Sequence, residues 1–333
     1  MLTICLLLLA NHLRLVEGQR ASSPDDWDLF NDYITTYGRH YATQSEKLYR
    51  FKVFQESLNR IASLNSEDLY QPYGVTMFCD LTESEFLERY LRDLPDSSTP
   101  ADETPSFADL SMYRVEDLAR TFDWRNVPNR VTPVKDQGLC DSSWAFSAVE
   151  NIESVWAIEK RSLVNLSVQQ ILDCDVLSHG CSGGGTIEDA FDYVFRIGGL
   201  EREENYRYVA KDQQCSPDPF NPYASIDGFE RVPIPNDTAM MLYLYNNAPL
   251  SICLDATSWQ FYRGGVMTNR CGVSLNHCVL ITGYDSTLTR SAPNWIVRNS
   301  WGTNWGENGY IYLDMSDGEC GFATEAISAY ILK

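Results

Sequence analysis

Positive charge is scarce in this sequence: 26 Lys and Arg stand against 46 Asp and Glu in 333 residues, a formal net charge of −20. Little is available to neutralise phosphates, which argues against nucleic acid as a partner. Long hydrophobic runs are also missing. The apolar stretches over 2–10 and 13–16 are too short to span a bilayer. At the start of the chain they read as a secretory signal peptide over 1–18, although a positive n-region is lacking and Arg14 interrupts the tail. No membrane span is expected later, so the product is expected to be secreted or endolysosomal. Clustered metal ligands, a phosphate-binding glycine loop and internal repeats are absent, so neither a metal nor a cofactor is expected.

Histidine is rare enough to survey completely. His12 lies in the leader, His40 in the N-terminal third and His179 in the short loop between Cys174 and Cys181. Only His277 adjoins a run that reads as a buried strand, 278–284. Of ten cysteines, Cys5 sits in the leader and Cys79 in the N-terminal third, leaving an even set of eight that reads as disulfides in an oxidising compartment. The pairing is open on sequence alone.

The chain is organised around residues 134–147, a glycine-containing loop that runs into a long amphipathic helix. Trp144, Ala148, Ile152 and Trp156 recur at helical spacing, and Lys160 and Arg161 fall where positive charge suits a helix C-terminus. Ser143 then lies at or near the helix start, where outward N–H groups favour developing negative charge. Taken alone it would be an ordinary N-cap. Upstream, Glu46, Arg50, Val53, Phe54, Ile61 and Asn65 share adjacent faces of one helix, and the polar stretch 96–118 reads as an exposed linker.

Several of these words resemble one family. Gln137, Gly138, Cys140, Ser142, Trp144, Ala145 and Phe146 resemble the active-site signature of papain-like cysteine peptidases, with Asp141 in place of a Gly and Ser143 where that family carries its nucleophilic Cys. The upstream helix resembles the interspersed motif of cathepsin L-like prosegments, with Ser57 for one Asn. Gly74, Thr76, Phe78 and Asp80 resemble the second prosegment motif, with Thr for the usual Asn.

The resemblance implies an α+β, papain-like two-lobe fold. A helical inhibitory prosegment over 19–118 would precede a peptidase unit over 119–333. Its helical lobe would cover about 119–226 plus the C-terminal tail, and its β-barrel-like lobe about 227–318. The prosegment would run backwards through the cleft, making it the chain's own first partner. It further implies His277 as base, Asn299 as the residue orienting it, Trp301 as the shield over that pair, and Gln137 as oxyanion donor with the Ser143 N–H. Gly183 and Gly184 would pair with an extended peptide. Gly185, Thr186, Cys253, Leu275, Cys278 and Glu325 would form the pocket for the second residue before the scissile bond, with a wider mouth than usual and a floor at Glu325 that accepts basic side chains. Disulfides are implied for Cys140–Cys181, Cys174–Cys215 and Cys271–Cys320. Cys253 and Cys278 are left over and are expected as small buried hydrophobes, a fourth bridge being the alternative.

Asn165 and Asn236 begin glycosylation sequons. The expected product is a monomeric, zymogen-like precursor that keeps a peptide-binding cleft while proteolysis is lost or strongly reduced. An active endopeptidase using Ser143 with His277 is the alternative. A third reading borrows from silicateins, cathepsin-like proteins with Ser at this place, but no hydroxyl-rich run lies near His277.

Overall fold

The protein, described by a computed structural model, is defined over residues 24–95, 106–216, 221–232, 237–268, 272–315 and 326–332. The leader, Asn236, Glu325 and the Cys271–Cys320 pair lie outside the described residues.

Three helices come first: α1 (Pro24–Thr36), α2 (Gln44–Glu67) and α3 (Glu83–Tyr90). Thr43 caps α2 by accepting from the Glu46 N–H, and Thr82 and Glu85 close a reciprocal capping box on α3. Phe30 and Tyr33 of α1 meet Phe54 of α2 at centroid distances of 5.3 and 5.0 Å, so the N-terminal unit has its own aromatic core. The expected helical spacing over 46–65 is therefore one element, and its polar members each have a partner. Arg50 takes both carboxylate oxygens of Glu85 at 2.6 and 2.9 Å, and Asn65 exchanges two hydrogen bonds with the Tyr73 backbone. Asp80 accepts from the hydroxyls of Tyr33 and Tyr41 at 2.6 and 2.9 Å.

The linker departs from expectation. Arg231 donates its backbone N–H to Ser106 O, and Ala108 donates to Arg231 O, so at least this part is docked and Ala108 is buried. Local composition suggested exposure because it cannot report an available sheet edge.

The larger unit is built on α4 (Ser143–Lys160), which starts where the loop predicted it would and ends at Arg161 in the left-handed region, φ 58°. Instead of one apolar face, α4 is buried nearly all round, from Ser143 through Val155. It lies against α5 (Val168–Cys174) and α7 (Ile187–Ile197) on one side and the sheet on the other, with the short α6 (Gly180–Gly183) beyond α5. Its polar residues are spent on the neighbouring chain. Ser147 Oγ donates to Val279 O, and Asn151 Nδ2 donates to Pro249 O while its Oδ1 accepts from the Ala329 N–H.

The strands are β1 (Thr121–Asp123), β2 (Gly228–Val232), β3 (Leu250–Leu254), β4 (Val266–Met267), β5 (His277–Asp285), β6 (Asn294–Arg298), β7 (Tyr310–Asp314) and β8 (Ala326–Tyr330), with α8 (Asp237–Asn246) between β2 and β3. They form one sheet in the order β2-β8-β3-β5-β6-β7-β4, with β1 added to β5; pairing is antiparallel except between β4 and β7. Arg298, the last residue of β6, crosses to α4 and pairs with Glu150 at 2.9 Å, both side chains being buried. Burial pushes the Glu150 carboxyl up to about 7, against the opposing pull of Arg298 and Lys135.

The cysteines follow the sequence expectation at Cys140–Cys181 and Cys174–Cys215. The leftover pair does not. Cys253 and Cys278 form a disulfide rather than two buried thiols. The cause is register: β3 and β5 are antiparallel with Cys253 directly opposite Cys278, their Cα atoms 4.0 Å apart. Cys79 keeps a buried thiol, which burial pushes up to about 12.

Candidate active site

The head of α4 is capped at the backbone level by Ser142, not by a Ser143 side chain. Ser142 has non-helical φ and ψ, makes no side-chain cap bond, and turns its hydroxyl to Tyr208 Oη at 2.8 Å. Ser143 is the first helical residue and is buried. Its Oγ accepts the N–H of Cys278 at 3.2 Å, across from the α4 terminus to the start of β5.

His277 opens β5 and Asn299 follows directly on β6, so antiparallel pairing of the two strands brings these side chains together. His277 Nε2 lies 2.7 Å from Asn299 Oδ1. The same Oδ1 accepts the Ser300 N–H at 2.7 Å, which fixes the amide with its oxygen towards the ring and makes Nε2 the protonated nitrogen. Nδ1 then carries the lone pair and has no hydrogen-bond partner among the described residues. Burial lowers the His277 pKa to about 4, against the raising effect of the Asn299 bond, so the imidazole is neutral. Trp301 stands 4.7 Å from the ring and Trp259 6.0 Å, centroid to centroid. Both indoles are buried.

Gln137 is held on three sides. Its backbone N–H donates to Ser300 O, its Oε1 accepts from Ser300 Oγ at 2.6 Å, and its Nε2 donates to Cys140 O at 3.0 Å. One Nε2 hydrogen is left. The structure thus brings together Ser143, His277, Asn299, Trp301 and Gln137. It adds Ser300, Tyr208 and Trp259, which sequence reasoning did not single out. Ser300 could have been found from its place between Asn299 and Trp301; Tyr208 and Trp259 carry no local mark.

The opposite wall holds the glycines. Gly183 closes α6. Gly184, at φ +70°, takes a conformation that L side chains rarely adopt. Gly185 is packed so tightly that an added Cβ would lie 2.9 Å from the Trp144 ring. Thr186 caps α7, its Oγ1 accepting from the Asp189 N–H. On the other lobe Leu275 lies two residues before β5, and the bridged Cys253 and Cys278 stand opposite each other on β3 and β5.

The cleft between the walls is filled by the chain itself. Leu94 donates its N–H to Leu275 O at 2.9 Å and Arg92 to Asn276 O at 3.2 Å. Phe78, Phe86 and Tyr90 stand on Trp301 at 5.3, 5.7 and 6.1 Å. Below them the Gln260 amide donates to Phe78 O and Leu81 O, while Thr76 Oγ1 donates to Gln260 O at 2.6 Å. The N-terminal unit therefore blocks access to Ser143 and His277 through backbone pairing at one end and an aromatic plug at the other.

Comparison with known proteins agrees with this arrangement. Residues 118–330 match the papain family cysteine protease profile, and residues 30–86 match the cathepsin propeptide inhibitor domain. The chain is 38% identical over 301 residues to the senescence-specific cysteine protease SAG39 of Oryza sativa subsp. japonica, covering 88% of this chain and 87% of that protein. It is 37% identical over 303 residues to fruit bromelain of Ananas comosus, covering 88% and 83%. The structure of digestive procathepsin L2 proteinase from Tenebrio molitor larval midgut superposes with a TM-score of 0.83, at 31% identity over 92% of this chain and 100% of that one. The chain belongs to the papain family of cysteine proteases and is a cathepsin L-type precursor that carries its own propeptide inhibitor domain.

Proposed function

We propose that this precursor yields a peptidase homologue that binds an extended peptide or protein in its cleft but hydrolyses it weakly or not at all. The observation that carries the reading is the Ser143 hydroxyl at the head of α4, accepting the Cys278 N–H while a neutral His277 is oriented by an amide. A thiol in that place is ionised by a helix N-terminus and a neighbouring His. A hydroxyl is far less acidic and reacts only if His removes its proton during attack. Sites that work this way orient the His with a buried carboxylate, which stabilises the imidazolium; Asn299 brings no charge. The shorter reach of oxygen also misplaces the attacking atom. Asp141, two residues away, adds an anion near the oxyanion position, where Gln137 and the Ser143 N–H are the proposed donors.

The second reading, an active endopeptidase with Ser143 as nucleophile, is favoured by one feature: Nδ1 of His277 carries the lone pair a general base needs, and no other group among the described residues occupies it. Turnover of fluorogenic dipeptide substrates by wild type and Ser143→Cys decides between them. Activity only in the thiol variant supports the disabled site, and strong wild-type turnover rejects it.

The same proposal takes Trp301 as shield, Gly183 and Gly184 as backbone partners, and Gly185, Thr186, Leu275, the Cys253–Cys278 bridge and Glu325 as the pocket for the second residue before the scissile bond. Secretory or endolysosomal residence is supported by the disulfides, and the proposed product is a monomer. Glycan attachment at Asn165 is supported by its exposure.

A further inference from the structure

The residue that departs from the family pattern beside Ser143, Asp141, is occupied. Its Oδ2 lies 3.3 Å from Arg92 Nε and makes no hydrogen bond among the described residues. The carboxylate is only 14% exposed, and burial raises its pKa to about 6 despite the opposing Arg92 charge. It sits over Gly184, where an added Cβ would come within 2.9 Å of Oδ2. From the same side Ser182 presents its carbonyl oxygen, which accepts from Arg92 Nη1. Two acceptors, one anionic and one neutral, thus face two different nitrogens of one planar guanidinium. Lysine offers a single point charge on a flexible stem and matches this pair less well.

The geometry around that side chain is set from the far wall. The Arg92 N–H is held by Asn276 O and the Leu94 N–H by Leu275 O, so the backbone runs along one lobe while the side chain reaches the other. Any polypeptide that pairs with the same carbonyls can direct a long side chain to the same place.

We propose that Asp141 and the Ser182 carbonyl form a guanidinium site on the cleft wall beside Ser143, selecting an arginine side chain in whatever polypeptide occupies the cleft. The prosegment's Arg92 is its first occupant, and an external arginine-bearing peptide is the second. This deepens the peptide-binding reading above and rests on it. It differs from the proposed role of Glu325, which concerns the neighbouring pocket, and it gives the Asp at 141 a positive function in addition to its cost for catalysis.

The test is a binding measurement, independent of turnover. The full precursor is folded, cut within 96–105, and the release of the labelled prosegment is followed. Arg92→Gln should weaken its hold about fivefold when Asp141 is present and less than about twofold in Asp141→Asn, the order expected of a half-exposed ion pair with one charged hydrogen bond. Two synthetic octapeptides with the sequence of 88–95, carrying arginine or neutral citrulline at the place of Arg92, are then compared as displacing agents. The arginine peptide should act at about fivefold lower concentration on the Asp141 protein and show no advantage on Asp141→Asn. Additive effects of Arg92→Gln and Asp141→Asn, or equal potency of the two peptides, overturn the guanidinium site. Failure of both peptides, together with a prosegment indifferent to Arg92→Gln, overturns the site and the peptide-binding reading together. Wild-type turnover would reject only the disabled-enzyme reading and leave this site standing.

Discussion

The two walls of the cleft are built differently. On the β lobe, His277, Asn299, Ser300 and Trp301 form a closed, buried set in which one amide oxygen holds both the imidazole and the next backbone N–H. On the helical lobe, the approach to α4 carries Asp141 and Ser143, the two residues that the sequence reading sets apart from the papain-like signature. The helix itself is held by side-chain bonds to Val279, Pro249 and Ala329. The difference teaches that the scaffold of such a site is held by long-range packing, while the proposed loss of reactivity turns on a single atom at one helix terminus.

That contrast can be broken most strongly at Ser143. If the β-lobe wall is intact, Ser143→Cys should raise kcat/KM on dipeptide substrates by about a thousandfold or more, the scale on which activated nucleophiles and their bases act as a unit. Adding Asp141→Gly should raise it by about a further tenfold, since removing an anion near the oxyanion is worth on the order of 1.4 kcal/mol. No gain in either variant means the β-lobe wall is also defective.

The bond that ties the walls together comes next. Arg298→Met strands Glu150 in the core and should cost about 3–5 kcal/mol in urea unfolding at pH 8. The pH dependence has a definite sign. The folded pKa of Glu150 is raised to about 7, so its carboxyl favours the folded state below the unfolded value and that contribution is lost as pH rises through 7. At pH 5, where Glu150 is protonated, the cost of Arg298→Met should therefore shrink. A penalty that grows in acid contradicts the assignment.

A smaller effect separates the aromatic plug from the hydrogen bonds beneath it. Phe78 is fully buried among Phe86, Tyr90 and Trp301, so Phe78→Ala should weaken prosegment binding by about 3 kcal/mol. Thr76→Val, which removes the hydroxyl's bond to Gln260 O and the bond it accepts from the Phe78 N–H, should cost about 1–2 kcal/mol. Competition with labelled prosegment after cleavage reads both, and a reversed order would place the grip elsewhere. The smallest expected change is at Glu85. Arg50 holds its carboxyl down to about 2, so the stabilisation is present above the ordinary carboxylate range and is lost as pH falls through 2. Because this pair is near the surface, Glu85→Gln should change thermal stability only slightly at pH 6 and not at all near pH 2.

What the sequence revealed divides along the same physical line. The start of α4 at Ser143, the helical spacing over 46–65 and the His277 strand were legible because they are local periodicities. The places of Asn299, Trp301 and Gln137 were legible because their neighbours form family words. The Cys253–Cys278 bridge was not, since it depends on the β3–β5 register, and neither was the Glu150–Arg298 pair, which joins a helix to a strand edge 148 residues later in the chain. The sequence marks Asp141 only as a residue standing in place of a Gly. Its partner, Arg92, belongs to a polar segment with no motif of its own, and only the path of the backbone past Asn276 brings the two together.

The account turns on whether the hydroxyl of Ser143 attacks anything. The direct measurement incubates the cut precursor with a serine-directed acylating probe and weighs the product, with Ser143→Cys and a thiol-directed alkylating agent alongside. The account predicts stoichiometric modification of the introduced thiol and none of Ser143. Stoichiometric acylation of Ser143 in the wild-type chain would contradict it.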